Sequence, residues 1–363
     1  MVDPSVPALH LALEVDGDGA HPAAWRHADR PPEAAFTPHS LRETVAAAQE
    51  AGFALATFAD GPLSVGHLEA GTRAAYVSTV TDRIGLAPTL HAPVTEPFHL
   101  ATQLATLDHA SHGRAGWIVG AANDAEARAT IGAAPLPPDE LRQELLDVVA
   151  AARALWDSWE DDAVIKDVAT GRYLDSGKVH PIDFAGRSFS VKGPLITPRP
   201  PQGQIVVFAP DALEIDEAAD VVLVARPDLA SVGERADRAR QAGAPLVFAE
   251  VEFLLDAAVP AAERLAELDR AAEWPAAGSL RHIGSAAGLA DLLRSLAAVV
   301  DGVRLHPAVN ALDLPILTDW VLPALLAEDL LRPAPRRDAS LRGTLGLARP
   351  ANRFARAAEG VAA

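Results

Sequence analysis

The sequence predicts an α/β chain folded as a (β/α)8 TIM barrel, with an excursion between the fourth and fifth strands. Three observations carry that expectation. Short β-branched or leucine-rich runs alternate with longer segments of helical periodicity, which is the signature of repeated βα units around a parallel sheet. Eight such strand candidates occur, and that number suits a closed barrel. An open doubly wound sheet usually carries G-x-G-x-x-G after its first strand. Here Asp16-Gly17-Asp18-Gly19 leads into a proline-bearing loop instead.

The elements follow in order along the chain. Residues 9–15 read as the first strand and 37–51 as the first helix, with Ser40 as its expected cap. Gly52 stops that helix before a second strand over 53–59. A helix over 68–81 precedes the strand 84–90, and a helix over 97–109 precedes the strand 115–120. Residues 141–159 form a long amphipathic helix. Further strands fall at 204–209, 221–225 and 245–251, and the last unit joins the strand 299–305 to a helix over 314–326. Residues 161–203 mix turn formers, basic residues and alternating segments, so they read as an inserted hairpin and loop region. The barrel is expected to be one domain over 1–331, with a tail over 332–363 that packs on it or frays.

Composition narrows the function. A 363-residue chain with 49% hydrophobic residues can fill one large barrel core. Its 31 basic and 49 acidic residues leave a net charge of −18. That charge repels phosphate backbones and anionic lipid, so neither nucleic acid nor a membrane is an expected partner. The absence of cysteine excludes disulfides, thiolate zinc sites, iron–sulfur clusters and cysteine nucleophiles. Residues 1–7 lack a basic n-region, and no uncharged stretch approaches the roughly 20 residues of a membrane span. A cytoplasmic location is the expectation.

Barrel enzymes gather their sites at the C-terminal strand ends. Reading those ends gives Glu14, Asp60, His91, Asn123 with Asp124, Asp211, Arg226, Glu250 with Glu252, and His306. Such a ring suits acid/base work, and each member has a plainer alternative. Asp60 in Ala59-Asp60-Gly61 either caps a turn or faces the site. His91 is either structural or a ligand contact. Glu96-Pro97 reads as a helix start, and Trp117 reads as core. Gly284-Ser285 reads as a serine cap, with a phosphate cradle as the alternative. No H-x-H, H-E-x-x-H or G-x-S-x-G occurs, so no metal and no serine nucleophile is expected.

Several segments go beyond pattern. Ala59-Asp60-Gly61, Thr81-Asp82-Arg83-Ile84-Gly85-Leu86, Glu96-Pro97-Phe98-His99-Leu100-Ala101 and Gly113-Arg114-Ala115-Gly116-Trp117 occur in order. Asn123-Asp124-Ala125-Glu126-Ala127, Leu155-Trp156-Asp157-Ser158-Trp159 and Phe189-Ser190-Val191-Lys192-Gly193-Pro194-Leu195 follow, and Leu345-Gly346-Leu347-Ala348-Arg349-Pro350-Ala351-Asn352-Arg353 closes the series. Together these resemble the bacterial-luciferase-like flavin monooxygenases, within them the nitrilotriacetate and dibenzothiophene-sulfone monooxygenase group. The resemblance implies a (β/α)8 barrel and a homodimer or larger assembly. It also implies reduced FMN delivered by a separate NAD(P)H:flavin reductase, and oxygenation of a small organic substrate with O₂.

On that resemblance Asp60, His91, Ile118 and Asn123 fall at cofactor positions, while Glu14 and His306, taken from the strand ends, are expected at the substrate pocket. The sequence departs from the family at several of these points. His91 and Ala92 stand where serine or threonine is usual, Ile118 where asparagine is expected, and Ala121-Ala122 where Thr-Ser is expected. The tyrosine expected near the next helix is absent around residues 138–141. After the fifth strand, Phe208-Ala209-Pro210-Asp211-Ala212-Leu213-Glu214 replaces the glycine- and serine-bearing turn that grips the FMN phosphate. Three readings follow: a monooxygenase with an altered flavin grip, a degenerate non-catalytic paralogue serving as a subunit or binding protein, and a deazaflavin-dependent oxidoreductase.

Overall fold

A computed structural model describes residues 8–355 apart from 16, 28–36, 65, 67 and 277. The N-terminal residues 1–7, Asp16 of the first loop and the end of the tail from 356 lie outside the described residues. Eight parallel strands close into a barrel with helices around it. They are β1 (His10–Glu14), β2 (Leu55–Phe58), β3 (Gly85–His91), β4 (Gly116–Gly120), β9 (Val206–Pro210), β10 (Val221–Val224), β11 (Leu246–Leu255) and β13 (Gly302–Pro307). Each pairs with the next in that order, and β13 pairs back with β1 at His10↔Gly302.

The period-2 alternation of each strand divides the apolar residues into two cores. One set, including Leu13, Phe58, Leu86, Val119 and Val207, packs outward. It meets α2 (Ala70–Ser78), α3 (Pro97–Ala110), α5 (Pro138–Trp156) and the helices that follow. The other set fills the barrel with Ala12, Leu55, Ala87, Ile118, Phe208, Leu223 and Phe248. Leu341 and Leu345 join this interior set, although they come from the tail. They lie on and just after a short helix (Leu341–Thr344), which therefore plugs the N-terminal end of the barrel.

Between α5 and β9 lie two antiparallel ribbons. The first joins β5 (Val164–Asp167) to β6 (Arg172–Leu174), and the second joins β7 (Phe184–Ala185) to β8 (Ser190–Val191). The seventh barrel strand is longer than the sequence predicts. Beyond the barrel rim β11 pairs with β12 (Leu280–Gly284), a strand that sequence reading misses because its mixed pattern Leu-Arg-His-Ile-Gly is only partly covered.

Two further differences concern helix chemistry. The cap of α1 (Pro38–Glu50) is Thr37, with no side-chain cap bond, and Ser40 lies inside the helix. Pro38 at the first position removes one of the donors a cap would satisfy. The last helical segment starts at Asn310 rather than 314 and carries a π turn at Leu317–Val321, just after Pro315. Proline cannot donate to the helical ladder, and the π turn follows where that ladder is interrupted. Asn310–Ala327 is long and apolar enough to cross a membrane by length and composition, and it contains Asp313 and Asp319.

Candidate active site

A cleft of about 690 Å³ opens at the C-terminal ends of β2, β3, β4 and β9, within the size range of small-molecule sites. Thr89, Ile118 and Gly120 point into it because they alternate with outward-facing neighbours along β3 and β4. Ala121, Ala122, Pro210 and Leu213 line its sides, and Gly61 to Ser64 form the far wall. Most of these groups are small or apolar, so the cleft suits a flat, largely uncharged ligand.

His91 stands at the end of β3 and lines the cleft. Its Nδ1 accepts the Ala122 amide at 3.0 Å, and Nε2 donates to the Asp60 carbonyl at 2.8 Å. The ring thus carries its proton on Nε2 and ties the loop after β2 to the loop after β4. A Cβ on Gly120 would lie 2.5 Å from His91 Nδ1, so glycine is what lets the ring lie across β4.

Below this level a charged cluster forms the floor. Arg304 lines the cleft from β13. Its Nε donates to Thr57 Oγ1 at 2.9 Å, Nη1 to Glu250 at 3.0 Å, and Nη2 to Glu14. His306 donates from Nε2 to the other Glu250 oxygen. Burial alone would raise the Glu250 carboxyl, yet the Arg304 guanidinium and the His306 ring overcome it and hold it down to about 2. Burial likewise opposes the Arg304 charge, and Glu250 and Glu14 more than offset it, raising its pKa. Arg304 therefore offers fixed hydrogen-bond donors rather than surplus positive charge.

The residues expected from sequence fall into three groups. His91 and Ile118 line the cleft. Glu14 and His306 belong to the floor cluster around Arg304 and Glu250. Asp60 and Asn123 turn to the backbone. The Asp60 carboxylate accepts the Gly61 and Ala70 amides at 2.8 and 2.6 Å, and the Asn123 amide clamps Leu136 through two bonds of 2.8 Å. Glu96 caps α3 through the Phe98 and His99 amides, and Ser285 caps its helix through the Gly288 amide. Trp117 is fully buried. Sequence reading overlooked Arg304, although an arginine two residues from His306 on a valine- and leucine-flanked strand was a usable sign of an inward charge.

Comparison with known proteins decides the family. The model of the luciferase-like monooxygenases matches residues 19–311. The chain belongs to the luciferase-like monooxygenase family. Among its luciferase-like relatives, the N-acetyl-S-(2-succino)cysteine monooxygenase of Bacillus subtilis (strain 168) is 33% identical over 240 residues. That alignment covers 62% of this chain and 54% of the Bacillus protein, about half its length. One component of the pristinamycin IIA synthase of Streptomyces pristinaespiralis is 37% identical over 209 residues, covering 57% of this chain and 70% of that component. The crystal structure of a riboflavin lyase with a modified FMN and riboflavin shares the fold, with TM-score 0.83 at 21% identity over 95% of this chain and 97% of that one.

The luciferase-like family is flavin-dependent, and the cleft can be tested against that cofactor. Its volume and largely small or apolar lining leave room for a tricyclic ring. The rim at β9 does not fit a phosphate. Pro210 has no N–H, and the Glu214 amide is used by the Asp211 carbonyl at 3.4 Å. Asp211 itself is buried against Arg226 at 2.6 Å and Arg235 at 3.3 Å. The sequence suggests an acid that repels phosphate. In the structure it is an acid ion-paired with two guanidiniums, and burial still holds its carboxyl above the usual carboxylate range.

Proposed function

We propose that this luciferase-like chain is a flavin-dependent monooxygenase that takes reduced flavin from a separate NAD(P)H:flavin reductase. One atom of O₂ enters a small organic substrate and the other is reduced to water, with the two electrons supplied by the reduced flavin, which leaves oxidised. The observation that carries this reading is the mouth cleft, lined by Ile118 and Gly120, at the strand ends where barrel enzymes keep their sites. Bound reduced flavin would supply the oxygen-activating chemistry. The chain's own part is to seat the ring, to hold His91 and Arg304 in fixed positions around it, and to keep water away through apolar walls. The relatives named as monooxygenases support the reaction class. A homodimer is part of the same reading.

A second reading is a non-catalytic subunit. It is favoured by the filled anion position at Asp211 and by the likeness to two different components of pristinamycin IIA synthase. Anaerobic calorimetry with photoreduced FMN separates the two. Saturable binding that is lost in Ala121→Trp, which fills the cleft from its side, supports the monooxygenase. Absence of binding in the wild-type chain supports the non-catalytic reading.

A further inference from the structure

The rim of the cleft at β9 is formed by Pro210 and Leu213, and the residue between strand and turn, Asp211, is buried. Its carboxylate ion-pairs with the cations that an anion at this rim would use, although among the described residues no N–H meets Oδ2 in hydrogen-bond geometry. Arg226 Nη1 lies 2.6 Å from Oδ2, Arg235 Nε lies 3.3 Å from it, and the Ala225 amide reaches Oδ1 at 3.4 Å. Arg235 also binds Asp216 at 2.7 Å. Two guanidiniums thus face two carboxylates, and the group carries no surplus positive charge. The floor is no different, because Arg304 is shared between Glu14 and Glu250. The remaining acid in the lining, Asp124, caps the helix Ala125–Ala129. A ligand phosphate dianion at this rim would gain no uncompensated cation. It would also enter a chain of net charge −18.

We propose that Asp211 is a built-in anion that takes the place of a ligand phosphate, so that the cleft binds the tricyclic ring of a flavin whether or not it is phosphorylated. Riboflavin is then a ligand equal to FMN. This rests on the flavin reading given above. Asp211→Ser would uncover Arg226 and Arg235, whose forked donors match phosphate oxygens, and would create a preference for FMN.

The test is anaerobic calorimetry with photoreduced riboflavin and photoreduced FMN on the full chain. The expected result is two dissociation constants within about threefold of each other. In Asp211→Ser the FMN constant should fall by roughly tenfold relative to that of riboflavin. A wild-type preference for FMN larger than that threefold would overturn the proposal while leaving the flavin reading standing. If neither flavin binds, both are overturned. Should Asp211→Ser fail to fold, Arg226→Gln on the rim decides. Its ratio of the two constants should match the wild type, and a selective loss of FMN affinity would show that Arg226 holds phosphate after all.

Discussion

Leu341 occupies space that Gly85 leaves open. A Cβ on Gly85 would lie 2.6 Å from Leu341 Cδ1, and one on Gly116 would lie 3.1 Å from Leu341 Cδ2. The tail helix therefore completes the barrel interior, and two strand glycines make room for it. Leu341→Ala should destabilise the chain by about 2–5 kcal/mol, as deletion of a buried leucine does when the cavity cannot collapse. Urea unfolding measures this, and a cost below about 1 kcal/mol would mean the tail only rests on the barrel.

Arg304 should be costly to remove. Arg304→Met leaves Glu14 and Glu250 buried together without their shared cation. The expected loss is about 3–5 kcal/mol. Pairing the change with Glu250→Gln should recover part of it, because one of the two stranded charges is gone. Chemical denaturation of the two variants reads the difference, and equal stability would contradict the cluster.

Glu250 makes stability acid-sensitive in a defined window. Its folded pKa of about 2 lies below the ordinary value of 4.5, so as pH falls the unfolded chain takes up the proton first. The stabilisation is complete above 4.5 and is lost progressively as pH falls towards 2. Glu250→Gln should flatten the melting temperature across that window. A profile as steep as the wild type would assign the acid transition elsewhere.

His10 acts one window higher. Its ring lies in the barrel floor beside Phe248, and among the described residues Nδ1 has no hydrogen-bond partner. Burial, and then the nearby Arg332 charge, lower its pKa from 6.5 to about 4. Stability from this group is complete above 6.5 and lost as pH falls towards 4. His10→Phe keeps the ring stack and removes the titration, so its thermal melts should vary less between those two values. An unchanged slope there would refute the assignment.

Gly120 and His91 should be coupled. Gly120→Ala drives a methyl group against the imidazole and should cost about 1–3 kcal/mol through overpacking. In a His91→Ala background the clash disappears, so the same change should cost almost nothing. A double-mutant cycle by urea denaturation tests this, and additive costs would remove His91 from its place over β4.

The barrel is legible in the order of residues alone. Period-2 runs separated by helical segments leave few ways to bury both faces of a parallel sheet, and the strands fall close to where that pattern puts them. Much of what makes the family recognisable is scaffold chemistry. Arg114 spends its guanidinium on the carbonyls of Ser78, Thr81 and Ile84, and Trp156 binds the Ala101 carbonyl. Such local roles carry fixed residue types and are legible in one dimension. The strand-end rule likewise brought His91, Glu14 and His306 into view.

Tertiary structure alone decided what those side chains do. Asp60 and Asn123 sit at strand ends yet spend their polar atoms on nearby backbone. Arg304 and Glu250 come from strands 54 residues apart, and Leu341 enters the barrel from the tail. Asp211 opens an acidic stretch in the sequence with Glu214, Asp216 and Glu217, and only the fold brings Arg226 and Arg235 to it. Charge compensation and shape depend on distances between residues far apart in the chain, and a linear sequence does not display those distances.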